Sequence, residues 1–276
     1  MRLGGQVFLD QPTPESWAQA LRQAGFRAAT CPVQDENDAD LADYVRMAAR
    51  HDIIISEVGA WSNPISRDDD TRRQAIDYCI RRLTLAETIG ARCCVNIAGS
   101  RGQQWDGPDP DNFSDETFEM IVETTRHIID AVQPERTVFA LEMMPWVYPD
   151  SADTYLALLK AIDRKGFGVH FDPVNIISSP RSYYRNGEII RDFIAKLGPY
   201  IRNCHAKDTL LRGHLSVHLD EVIPGQGNLD YRTFLTELSK LDPDTPLMIE
   251  HLSTNEAYRQ AADYIRQTAA ELHIAL

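Results

Sequence analysis

The stretch GVHFDPVN, residues 168–175, places a histidine and an aspartate two apart in an otherwise apolar run that stops at Pro173. Buried charge is costly unless something compensates it, so a segment built for burial carries such residues only for a reason. Side chains two apart on a strand share a face, so His170 and Asp172 point the same way, with Asp172 nearer the strand end. The pattern fits a strand whose carboxyl end opens on a polar site and whose ladder is ended by a proline that has no N–H to donate.

Outward from this segment, short apolar runs alternate with longer stretches of helical period. The strands predicted are LGGQVF (3–8), RAATC (27–31), IIISEVGA (53–60), RCCVNIAG (92–99), VFALEMMP (138–145), GFGVHFDP (166–173), IRNCHAKD (201–208) and PLMIEHL (246–252). Amphipathic stretches lie between them, among them residues 13–26, 72–90, 114–132 and 255–272. Ser114 caps one such helix, with Asp115 and Glu116 in its first turn to suit the helix dipole. Gly25 and Gly90 stand where helices should end, since glycine takes a left-handed cap without strain. Eight strand–helix units without a composition break predict a single α/β domain over residues 1–276, a closed (β/α)8 TIM barrel. The competing open doubly wound sheet usually shows a glycine-rich phosphate loop after its first strand, and FLDQPTPES (8–16) has none.

Composition narrows the function. The chain has 276 residues, 43% apolar and 25% charged, the proportions of an ordinary globular domain. A net charge of −13 without a basic cluster argues against nucleic acid as a partner. No apolar run approaches bilayer thickness, so no membrane partner is expected. The opening MRLGGQVFLDQP lacks the basic stretch and apolar segment of a secretory leader, and the expected location is cytoplasmic. Cys31, Cys79, Cys93, Cys94 and Cys204 are odd in number and form no CxxC pair, so they read as reduced, mostly buried thiols.

In a TIM barrel, chemistry comes from the carboxyl ends of the strands. Four consecutive predicted strands carry metal-ligating side chains there: Glu142, Asp172, His205 and Glu250. Taken singly, a strand-end glutamate is more often an ion-pair partner and a lone histidine a satisfied core group. Together, three inward carboxylates would repel one another unless a cation lay between them. The set is oxygen-rich and hard, which suits one divalent metal ion, Mn2+ first and Mg2+, Co2+ or Zn2+ as alternatives. His170 reads as an orienting partner for a ligand carboxylate, as a proton carrier, or as a packed core histidine. Lys207 shares the face of His205 and is placed to meet a substrate oxygen, whereas Asp208 faces the barrel wall. Trp61, Trp105 and Trp146 offer flat apolar faces to a substrate ring. Asn96, Asn175, Lys207 and His251 are candidate partners for hydroxyl or carbonyl groups, and the loop 179–192 is expected to cover the mouth. No phosphate cradle stands out, so the substrate expected is unphosphorylated.

At these residues the sequence resembles the xylose isomerase-like TIM barrels of the sugar phosphate isomerase/epimerase superfamily. The resemblance runs along essentially the whole chain and is most specific at HFDPVN (170–175), CHAKD (204–208), VIPGQGNLDY (222–231) and MIEH (248–251). It implies that Glu142, Asp172, His205 and Glu250 bind the metal, and that Glu142 and Glu250 double as the acid–base pair. The implied activity is a metal-dependent isomerase or epimerase acting through an enediolate on an unphosphorylated sugar or keto-sugar. The alternative is a metal-dependent lyase or dehydratase on a keto-sugar or keto-inositol. Either way the substrate implied is a small sugar or cyclitol. The superfamily's ketose 3-epimerases have a histidine where this chain has Asn175, and an arginine where it has Leu211 followed by Arg212. Its apurinic endonucleases carry extra histidines that SEVGAW (56–61) and NIAGS (96–100) lack. A simple ketose 3-epimerase and a DNA-repair enzyme are therefore both disfavoured. Such barrels often pair through exposed loops or helices, which leaves a homo-oligomer as an open expectation.

Overall fold

The computed structural model describes residues 1–33 and 38–276. Ten strands are found among the described residues: β1 Arg2–Gly4, β2 Ala28–Thr30, β3 Ile54–Gly59, β4 Cys93–Asn96, β5 Phe139–Glu142, β6 Phe167–Phe171, β7 Ile201–Ala206, β8 Asp208–Arg212, β9 His218–Val222 and β10 Pro246–Ile249. Eight of them close into a barrel in the order β1-β10-β7-β6-β5-β4-β3-β2, and every neighbouring pair is parallel. The helices α1 Pro14–Gln23, α2 Leu41–Arg50, α3 Asp69–Ile89, α4 Asp115–Val132, α5 Ala152–Ile162, α6 Pro180–Tyr184, α7 Asn186–Leu197, α8 Tyr231–Leu238 and α9 Asn255–Glu271 form the outer layer. This is the predicted TIM barrel.

Local chemistry sets the element boundaries. Ser114 accepts the N–H of Thr117 at the start of α4, and Asp230 that of Thr233 at the start of α8. Gly90 ends α3 at φ +70°, a left-handed conformation that costs a glycine nothing. β4 and β6 are buried along their whole length, as strands covered on both faces must be. The layer between barrel and helices is filled by fully buried side chains such as Leu21, Leu83, Tyr155, Phe193 and Phe234. All five cysteines are buried free thiols. No helix among the described residues is long and apolar enough to cross a membrane.

Three expectations need correction. The first strand ends at Gly4 instead of running to Phe8. A Cβ at Gly4 would lie 2.3 Å from Met248 Sδ and 2.5 Å from the Ala28 carbonyl oxygen, so the glycine is there for close packing between strands. Residues 179–192 are not a loop: Ser179 caps α6, and α7 follows at once. Beyond β7 the chain makes an antiparallel hairpin, β8–β9, that periodicity did not disclose.

Candidate metal centre and active site

The barrel interior is polar towards its mouth. The turn after β6 explains how Asp172 is aimed. Its Oδ1 accepts the backbone N–H groups of Val174 (2.9 Å) and Asn175 (3.3 Å), a local turn that spends one oxygen and leaves Oδ2 facing inward. His205, on β7, is fully buried, and its Nδ1 faces three carboxylates: Glu250 Oε1 at 2.7 Å, Glu142 Oε1 at 3.3 Å and Asp172 Oδ2 at 3.8 Å. One ligand atom from each of the four residues lies within 4.8 Å of every other. Thus β5, β6, β7 and β10, consecutive around the barrel, do bring Glu142, Asp172, His205 and Glu250 to one point.

Lys207 joins them. Its Nζ is buried, 2.8 Å from Asp172 Oδ2 and 2.7 Å from Glu250 Oε1, with Glu142 Oε1 at 3.7 Å and Glu221 Oε2 at 3.9 Å. Burial opposes ionisation of Asp172, yet the Lys207 charge and the contact with His205 hold its carboxyl well below the usual range. Glu250 is likewise lowered, His205 and Lys207 outweighing its burial. Burial would discharge His205 and Lys207, but the carboxylates around them raise both well above their ordinary values. The acidic cluster is thus balanced by an imidazolium and an ammonium ion.

The same residues fit a divalent cation. Asp172 Oδ2 and Glu250 Oε1 are buried and receive no aligned hydrogen bond, although charged groups stand close by. Three carboxylates and one imidazole form a hard donor set suited to an ion of the Mg2+ or Mn2+ kind. Lys207 approaches the very oxygens such an ion would use, so the two cations compete for them.

The remaining predicted residues divide. Asn175 is in the site: its Nδ2 donates to Glu142 Oε1 and to the Met143 carbonyl, both at 3.0 Å. His251 stands at the rim with φ +58°, its Nδ1 3.1 Å from Glu221 Oε2 and its Nε2 3.6 Å from Glu250 Oε2. A cavity of about 240 Å³ opens beside the cluster, lined by Glu57, Trp61, His205, Glu250 and His251, with Trp61 44% exposed. His170 does not orient a ligand carboxylate; its Nε2 lies 3.1 Å from Glu57 Oε2, deeper in the barrel. Asn96 is turned away from the cluster, its amide engaged by the Ser62 backbone and Cys79 Sγ beside α3. Trp146 donates its indole N–H to the Asp106 carbonyl at 2.7 Å and packs under the loop after β4, where Trp105 is partly exposed. Asp208 does face away, and it binds the backbone of the loop before α8.

Sequence reasoning missed three participants. Glu57 on β3 and Asn203 on β7 are polar residues inside apolar runs, the same signal that singled out His170, and they were passed over because neither ends its strand. Glu221 reaches the rim only because β9 folds back along β8, and no local pattern announces that pairing.

A closed parallel barrel with three carboxylates and an imidazole converging at the carboxyl ends of adjacent strands, a set able to hold a divalent cation, defines the class. The sequence matches the family model of the xylose isomerase-like TIM barrel over residues 18–268, and the chain belongs to that family. No curated protein matches the sequence. Among solved structures it is similar to D-psicose 3-epimerase with D-tagatose from Clostridium cellulolyticum H10, at 14% identity over 100% of both chains with a TM-score of 0.70. It is similar to the probable 3-DHS dehydratase AsbF of Bacillus anthracis, at 16% identity over 95% of this chain and 97% of that one, with a TM-score of 0.72. A xylose isomerase-like TIM barrel protein from Mycobacterium smegmatis in complex with magnesium is 17% identical over 95% of this chain and 90% of its own, with a TM-score of 0.65. At such identities the likeness is one of fold.

Proposed function

We propose that this protein is a metal-dependent enzyme that isomerises or epimerises an unphosphorylated sugar or keto-sugar. The observation that carries the reading is the convergence of Glu142, Asp172, His205 and Glu250 beside an open cavity. When bound, a divalent ion, Mn2+ before Mg2+, Co2+ or Zn2+, would polarise the adjacent carbonyl and hydroxyl oxygens of the substrate and offset the charge that develops as a C–H proton leaves.

The chain's own groups handle that proton. Glu142 and Glu250 stand at the two ends of the arc of ligand-bearing strands, so a substrate between them presents one face to each. One carboxylate removes the proton and the other returns it. The Asn175 amide bonds Glu142 Oε1 and leaves Oε2 as the basic oxygen, while Glu250 borders the cavity directly. Lys207 supplies an ammonium hydrogen bond to a substrate oxygen, and Trp61 offers an apolar face to the ring. Return of the proton to the neighbouring carbon gives isomerisation; return to the opposite face gives epimerisation.

A second reading, a lyase or dehydratase on a keto-sugar or keto-inositol, is favoured by one observation. The Lys207 ammonium lies within 2.8 Å of two of the site's carboxylates, where it can hydrogen-bond a departing hydroxyl and offset its charge. Incubation with each cation and a panel of ketoses in D2O, followed by proton NMR, tests both. Solvent deuterium in an intact sugar supports isomerase or epimerase chemistry; loss of water or of an aglycone supports the lyase. A panel that neither exchanges nor eliminates under any of the four metals ends both readings.

A further inference from the structure

We infer that Glu57 is a positioning residue: it is the carboxylate beside Nε2 of His205, an atom that makes no aligned hydrogen bond without a cation, and it takes the Nε2–H when a cation binds, which makes Nδ1 the ligand nitrogen. Glu57 lies on β3, across the barrel from β6 and β7, and is buried. Its Oε2 is ringed by three nitrogens: Asn203 Nδ2 at 2.6 Å, His170 Nε2 at 3.1 Å and His205 Nε2 at 3.4 Å. A neutral imidazole has one N–H and one lone pair, and the partner of the first decides where the second points. Nδ1 of His205 faces the three ligand carboxylates, so a cation among them displaces the Nδ1 proton and leaves the one N–H on Nε2, where Glu57 Oε2 is the neighbouring carboxylate at 3.4 Å.

The surroundings hold this acceptor in place. The strand register shifts between Val169 and His170, which pairs His170 with Asn203 and turns both side chains towards Glu57. The rings of His170 and His205 meet edge to face with centroids 4.1 Å apart, fixing the plane of the ligand imidazole. A second cation held by Glu57, His170 and His205 is the competing use of the same atoms. Against it, the Asn203 amide donor sits 2.6 Å from the Glu57 oxygen and 3.1 Å from His170 Nε2, in the space such an ion would need. An imidazole bridging two cations would also have to give up both its protons.

This inference rests on the metal reading, and the experiment separates the two. The full chain, labelled with 15N-histidine, is titrated with Mn2+ by calorimetry and with diamagnetic Zn2+ by NMR. The wild type is expected to bind one cation per chain, with metal on Nδ1 of His205 and a downfield Nε2–H resonance protected from solvent exchange. In Glu57→Gln, Mn2+ affinity is expected to fall roughly 10–100-fold, the usual effect of losing an outer partner of a ligand histidine, and the protected resonance to disappear. A merely structural contact would not move that resonance. Wild type that binds no cation overturns the metal reading itself. Tight wild-type binding that Glu57→Gln matches within twofold, with the resonance kept, overturns only the role of Glu57, and two cations per wild-type chain overturns it also. Should Glu57→Gln not fold, Asn203→Leu leaves the carboxylate but removes its shortest donor. Severalfold weaker Mn2+ binding is then expected, and unchanged binding rejects the inference.

Discussion

The proposed reaction asks Glu142 and Glu250 to serve as ligand and base at once, and a carboxylate bound to a cation is a weaker base than a free one. The geometry eases that conflict by giving each residue an oxygen to spare: Glu142 is held through Oε1, and Glu250 meets His205 and Lys207 through Oε1 while Oε2 turns towards His251. Glu142→Gln and Glu250→Gln keep size and polarity but lose the base, so turnover should fall about 10²–10⁴-fold with the fold intact by circular dichroism. Activity within a few-fold of normal in either variant would remove that residue from proton transfer. Lys207 makes a different case. Its ammonium competes with the metal for Asp172 Oδ2 and Glu250 Oε1, so Lys207→Met should raise KM for the sugar while leaving Mn2+ affinity equal or tighter. A tenfold loss of Mn2+ affinity would show that Lys207 supports the metal site instead. The convergence of Glu142, Asp172, His205 and Glu250 was legible in the sequence because each lies at or near the carboxyl end of a barrel strand. Glu57 was not, because its partners, His170 and Asn203, lie 113 and 146 residues away in the chain.

Elements built by neighbouring residues were readable, and those built by distant ones were not. The caps at Ser114, Gly90 and Asp230 follow from local rules and stand where the sequence puts them. Asn96 misled because strand-end position alone does not say which face a side chain takes; it points to α3, not into the barrel. The β8–β9 hairpin escaped because no local pattern announces its pairing; the loop that follows it is tied back to the start of β8 by Asp208. The Asp208 Oδ1 accepts the N–H groups of Thr209 and Leu229, and its Oδ2 accepts those of Gly225 and Gly227, all at 2.8–3.0 Å. A Cβ at Gly227 would come within 2.3 Å of Oδ1, so only glycine allows this grip. Asp208→Ala would leave these donors without an acceptor, at about 1–3 kcal/mol for each that water does not reach. The variant should lose roughly 3 kcal/mol or more in urea unfolding and become protease-sensitive between residues 213 and 227. Wild-type stability with an uncut hairpin would show that Asp208 does not hold this element.

At the scale of the molecule the two ends of the barrel do different work. The amino-terminal end is clasped by ion pairs, Arg2 with Asp52 and Asp244, Arg27 with Asp52, and Arg92 with Asp242. Chiefly the Arg2 hydrogen bond, against slight burial, lowers the Asp52 pKa, so its contribution is present above the unfolded value near 3.9 and is lost as pH falls through the folded one. Asp52 also holds φ +54°, which asparagine tolerates, so Asp52→Asn removes the charge without straining the turn. Because Asp52 is half exposed, the variant should cost under about 1 kcal/mol at pH 7, and the difference should shrink as pH falls below the ordinary aspartate range. A gap of constant size from pH 7 down to acid unfolding would mean that packing, not charge, is responsible.

The carboxyl-terminal end concentrates charge at a cost in stability, since Glu57, Glu142 and Asp172 are buried and Glu250 half-buried against two basic side chains, His205 and Lys207. A bound divalent ion offsets that excess, and an ion that binds only the folded state must raise its melting point by mass action. At a hundredfold excess over Kd the gain is about 2.7 kcal/mol, or roughly 5–10 °C for a chain of this size. Differential scanning fluorimetry with Mn2+, Mg2+, Co2+ or Zn2+ after dialysis against EDTA should show a concentration-dependent rise, reversed by fresh chelator. Asp172→Ala and His205→Ala should abolish the rise whatever they do to the starting melting point. A melting curve that none of the four ions moves, in a wild-type chain shown free of metal at the outset, would leave the acidic cluster balanced by His205 and Lys207 alone and remove the cation from the enzyme.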